Sequence, residues 1–88
     1  MKTNIPTEKL YRLSSFYPAS FLHSKGLQLV GIEKISNNRS SFVFVDVPER
    51  ENLLHSYKFA PKGAASVLVD SRSFVESIKS LKEMLYHE

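Results

Sequence analysis

A chain of 88 residues, 42% hydrophobic and 24% charged, is expected to be one globular domain, because that length buries a single modest core. It has no cysteine, which excludes a disulfide scaffold, thiolate metal sites and thiol catalysis. A net charge of +3 favours anionic partners mildly, and no run approaches the roughly 18 apolar residues of a membrane span. The start, Met1 to Pro6, lacks the apolar core of a signal peptide, so the expected location is the cytoplasm, with no membrane partner.

Residues 1–8, with Pro6 among polar neighbours, read as a loosely held arm of a single domain spanning 1–88. Residues 9–13 predict a short strand. Ser14-Ser15 then offers a cap for a helix over 16–25, in which Pro18 is tolerable only in the first turn and Gly26 supplies the left-handed stop. Phe21 and Leu22 are its expected buried residues.

Residues 27–32 and 41–47 are rich in β-branched and aromatic side chains, and residues 36–40 between them carry the Asn and Ser of a turn, so a hairpin is predicted. On the second strand Phe42 and Phe44 share one face, while Val43, Val45 and Val47 share the other. Apolar residues on both faces predict a central strand covered twice, with Val43 and Val45 as an interface to a partner or a second copy.

Pro48 opens the next helix, with Asp46 as its expected cap and Glu49 and Glu51 at the positive end of the dipole. Leu53, Leu54 and Tyr57 face the core, and the helix fades near Phe59. Residues 60–65 read as a loop and 67–69 as a short strand. Asp70 or Ser71 caps a final helix whose stripe is Phe74, Ile78, Leu81 and Leu85, a 4-3-4 spacing that keeps one face. The expected order is β-α-β-β-α-β-α, an α+β domain with helices packed on a three- to four-stranded sheet.

Chemistry-bearing residues are sparse. His23, His55 and His87 share no spacing that would converge them on a metal, and they read as surface or helix-end residues. Asp46 and Asp70 each precede a helix, where capping accounts for them better than acid–base or magnesium chemistry. Pro61-Lys62-Gly63 is not a phosphate loop and no Gly-x-Ser-x-Gly elbow exists, so no enzyme and no cofactor are expected.

The β-α-β-β-α-β order is shared with RNA-recognition domains, and Phe42 and Phe44 after Arg39 would suit a stacking platform. Arg39 to Val45 lacks the glycines and aromatic spacing of that consensus, so the two rings are expected in the core. On the last helix Arg72–Glu76, Glu76–Lys79 and Lys79–Glu83 are spaced to pair. That leaves Arg12, Lys25, Lys34, Arg39, Lys58 and Lys62 as unpaired cations that would form a phosphate-binding rim if the fold gathered them.

Leu22 to Gly26, the Phe42-Val43-Phe44 strand, Val69-Asp70-Ser71-Arg72-Ser73-Phe74 and Leu81 to Tyr86 together resemble a family of small domains of unknown function from bacterial, phage and plasmid genomes. The resemblance covers about residues 10–87 and departs from the family at Ser15-Phe16, where an acidic residue often opens the first helix. It implies a stand-alone prokaryotic domain, carries over no catalytic residue, and its mobile-element association favours DNA-related or host-interaction roles. The function expected is a non-enzymatic binding module, nucleic-acid-associated through the basic rim. The alternative is a protein-interaction module or homodimer using the apolar sheet face.

Overall fold

The structure, a computed structural model, describes residues 9–86; the expected N-terminal arm and His87 lie outside the described residues. A four-residue strand β1 (Leu10–Leu13) leads into helix α1 (Phe16–Ser24), then the hairpin β2 (Leu29–Ser36) and β3 (Arg39–Val45). Helix α2 (Glu49–Phe59), a single 3-10 turn (Ala65–Val67) and helix α3 (Ser71–Tyr86) complete the chain. The strands form an antiparallel sheet in the order β1-β3-β2, which puts β3 at the centre as its apolar composition requires.

Three helices converge on one side of this sheet. Leu22, Phe21 and Ala19 of α1, Leu54 of α2 and Leu81 of α3 are buried with Phe42 and Phe44 in one core, and Phe74, Leu85, Tyr57 and Leu53 pack against it. The two rings lie in the core, as expected, and form no stacking platform: Phe42 and Phe44 are 2% and 0% exposed. The α1–α3 contact is pinned by a polar pair, His23 Nδ1 and Ser77 Oγ at 2.7 Å, in which the nearly buried Ser77 hydroxyl finds its partner.

Local stops follow the sequence closely. Gly26 adopts φ of 102°, and the Leu27 N–H reaches back to the Leu22 carbonyl while the Gly26 N–H bonds that of His23, the six-to-one and five-to-two pattern that closes a helix. Asp70 accepts from the Ser73 backbone N–H at 2.9 Å and from its hydroxyl at 3.1 Å, capping α3 as expected. Those bonds hold the Asp70 carboxyl below its ordinary pKa, the backbone donor contributing most.

Three expectations are corrected. Residues 67–69 form no strand: the Val67 and Leu68 N–H groups bond the carbonyls of Ala64 and Ala65 in the 3-10 turn, and the Leu68 carbonyl is taken by Lys25 Nζ at 2.7 Å. Three apolar residues offer a sheet too few ladder bonds to displace that local closure. The turn of the hairpin is also tighter than expected, only Asn37-Asn38, so both strands extend inward to Ser36 and Arg39. Finally, Asp46 does not cap α2. It forms a two-pronged ion pair with Arg50 at 2.9 and 3.2 Å, and the Arg50 guanidinium lies 3.8 Å from the centre of the Tyr11 ring. The Arg50 hydrogen bond holds the Asp46 carboxyl below its ordinary range.

The sheet face turned away from the helices carries Leu10, Arg12, Gly31, Glu33, Ser41, Val43 and Val45, as the pairings Leu10 with Val45, Arg12 and Gly31 with Val43, and Glu33 with Ser41 require. Val43 belongs to no part of the helix-side core, so the double covering expected for β3 is not the work of helices. Arg12 on β1 and Glu33 on β2 stand about 10 Å apart across two strand spacings. Their side chains nevertheless meet at 2.8 and 3.0 Å, so the bridge spans β3 between Val43 and Ser41. Those two residues are 3% and 4% exposed.

Candidate functional site

The six cations expected at a common rim are separated by the fold. Arg12 is not free: it is spent on Glu33, whose hydrogen bond raises the guanidinium pKa while the arginine lowers that of the carboxyl. Lys25 ends α1, donates to Leu68 and lies 5.6 Å from the Phe21 ring centre. Lys58 is in the last turn of α2 and Lys62 in the loop beyond it, both exposed. The intrahelical partners expected on α3 do not close either, because Asp46–Arg50 and Arg12–Glu33 are the ion pairs within 4 Å among the described residues.

Lys34 and Arg39 do come to one end of the sheet, on opposite faces of the pleat. Lys34 pairs with Ser40 in the strand register and Ser36 with Arg39, which sets the two cations at the closed end of the hairpin. Lys34 shares the helix-side face with Ile32 and Phe42, since Ile32 pairs with Phe42 two positions earlier. Both cations are exposed, and neither enters an ion pair or a side-chain hydrogen bond among the described residues.

Beside them opens a depression of about 230 Å³, walled by Ser14, Phe16, Asn38, Arg39, Ser40, Phe42 and Leu85. Each wall has a local cause. The β1–α1 link supplies Ser14, whose hydroxyl lies 3.3 Å from that of Ser41. Phe16 opens α1 and meets Phe42 edge-on at 6.0 Å, and Leu85 arrives at the last turn of α3. Ser15 holds the N-cap position of α1 without a side-chain cap bond, which leaves the first turn's positive end uncapped on this side.

Each of the other depressions has a carboxylate in its wall. One of about 500 Å³ at the start of α2 sets Lys9 and Arg50 against Asp46 and Glu51. A neighbour of similar size sets Lys25 against Glu49 and shares Val45 and Val47 with it. A third, along α3, has Arg72 and Lys79 with Glu76. The hairpin-end depression alone of these four has a cation and no carboxylate among its described walls. Sequence reading flagged Arg39 in that wall and Lys34 on the neighbouring strand but missed Asn38, the chain neighbour of Arg39, and Ser14, Phe16 and Leu85, which only the tertiary fold brings there.

The expected interface residues share a face but differ in access. Val43 is sealed beneath the Arg12–Glu33 bridge, whereas Val45 is half-buried and borders the two larger depressions. Among the described residues no three carboxylate or imidazole groups gather as a metal-ligating cluster, and no helix is long and apolar enough to cross a membrane.

No curated protein and no solved structure matches the chain. A family model described as a domain of unknown function, DUF5659, matches residues 8–87, nearly the whole chain, and the protein belongs to that family.

Proposed function

We propose that this domain is a non-enzymatic, nucleic-acid-associated module that holds backbone phosphates at the closed end of the β2–β3 hairpin. The observation that carries the reading is that Lys34 and Arg39 share the hairpin end, both exposed and both without an acidic partner among the described residues, and that Arg39 lines a depression with no carboxylate among its described walls. The original six-residue rim contracts to these two, because Arg12 and Lys25 are engaged elsewhere and Lys58 and Lys62 lie at the far end of α2. Two phosphate contacts give weak, sequence-independent affinity, suited to an accessory protein rather than a sequence reader.

Fluorescence anisotropy with a short mixed-sequence oligonucleotide across a salt series tests this. Affinity is expected to fall steeply with salt, and reversing both Lys34 and Arg39 to Glu should remove it. Reversal of Lys58 and Lys62 should leave most of it. Binding that persists at high salt, or that depends on Lys58 and Lys62 instead, would contradict the reading.

A second reading, a protein-interaction module or homodimer, has support of its own. Leu10 and Val45 share the sheet face turned away from the helix-side core, and Leu10 is exposed. Its size counts against a stable dimer: three strands about 4.8 Å apart, the longest of eight residues, present a face of about 15 by 27 Å, well short of the roughly 800 Å² per partner of a standard interface. The bulges at Val30 and Ile35 also interrupt the β2 edge, a device that discourages strand addition.

A further inference from the structure

We infer that the hairpin-end depression receives one unstacked nucleobase of a single strand, with Phe16 as its stacking wall and Asn38 as its polar reader. The inference rests on the phosphate-binding reading above and adds what the neighbouring cavity does.

Size comes first. About 230 Å³ is below the roughly 300–1,000 Å³ of pockets that take drug-sized ligands, so the depression accepts a single small ring system and not an extended ligand. Chemistry narrows it further. One wall is the half-buried Phe16 ring, held edge-on to Phe42 at 6.0 Å and so fixed in orientation. A fixed aromatic face is what stacks any base, whatever its identity. Opposite in kind are the Asn38 amide, which offers both donors and an acceptor to a base edge, and the hydroxyls of Ser14 and Ser40.

Charge then selects a nucleotide over a neutral aromatic ring. Arg39 stands in the wall, and the register puts Lys34 beside Ser40 on the same face, so a base in the depression has cations within reach of its flanking phosphates. The uncapped first turn of α1 adds positive partial charge on the same side. Each of the other three depressions has a carboxylate in its wall, which offsets the attraction of its cations for a phosphate. Duplex nucleic acid is not expected to enter, because its bases are stacked and paired.

The test compares two single strands of about eight nucleotides, a length within the span of known single-strand sites, one of mixed sequence and one abasic at every position. They carry the same phosphates, so they differ only in what the depression can hold. The strand with bases should bind about tenfold or more tightly, as one stacked base provides. Phe16→Leu, which keeps apolar volume and removes the ring, and Asn38→Ala, on the exposed turn, should each shrink that ratio without changing abasic affinity. Equal affinity for the two strands overturns the base site and leaves the phosphate reading standing. So does a ratio that neither variant changes. No binding of either strand overturns both. DNA and RNA versions of the mixed strand, run in parallel, show which sugar is preferred.

Discussion

Two faces of one strand are covered by different means. On the helix side of β3, Phe42 and Phe44 enter a core built by three helices. On the other side, a salt bridge between the two outer strands closes over Val43, and its two partners are themselves about half exposed. Aliphatic stems of charged residues can cover apolar surface while their heads stay in water, and that suffices for one valine flanked by Gly31 and Arg12. The helix side gains stability from dense packing. The open side gains only the exclusion of water, and it stays adaptable at Leu10 and Val45.

The contrast can be broken most sharply in the core. Phe44→Ala should cost about 3–5 kcal/mol and Leu81→Ala about 2–5 kcal/mol in chemical denaturation, enough to unfold a domain this small. Val43→Ala, although its side chain is as inaccessible as Phe42, should cost only about 1–2 kcal/mol, since the side chains around it can settle into the space. A cost near that of Phe44→Ala would mean that the open face is as rigidly packed as the core. Val45→Asp should leave a folded chain, whereas Val43→Asp should not, because it would bury a charge beneath an ion pair; circular dichroism separates the two.

Weaker effects sharpen the same comparison. Arg12→Ala should barely move the melting temperature, since exposed pairs contribute little, yet it should raise hydrogen exchange at the β3 amides beneath the bridge. Unchanged exchange would show that the bridge seals nothing. The smallest effect is the pH dependence at the helix starts. Asp46 and Asp70 have folded pKa values below their ordinary ones, so their contribution is full at neutral pH, present above the unfolded pKa, and lost as pH falls through the folded value. The melting temperature should therefore decline below about pH 5. Asp70→Ala should lower the neutral value and flatten part of that decline, and an undiminished slope would contradict the cap.

Local rules made much of this fold legible. Gly26, Asp70 and the 4-3-4 stripe of α3 each act within a few residues, so their outcome could be read from spacing. The elements that misled were those in which a tertiary partner outbid a local one. Asp46 chose Arg50, itself held on Tyr11, over the helix start. The segment at 67–69 closed on itself and gave a carbonyl to Lys25 instead of joining the sheet. Arg12 looked unpaired because Glu33 lies 21 residues away and becomes its neighbour only across β3. The hairpin-end depression was half legible: Lys34 and Arg39 stand out as cations near a turn, while Ser14 and Phe16 from the start of α1 and Leu85 from the end of α3 reach it from two distant parts of the chain.

The most direct measurement is an amide chemical-shift map of the folded protein titrated with a short single-stranded oligonucleotide at low salt. The account predicts perturbations confined to residues 34–40 and 14–16, with Leu85 following, and their disappearance as salt is raised. Shifts centred on Leu10 and Val45, or on Lys58 and Lys62, or no shifts at all, would contradict it.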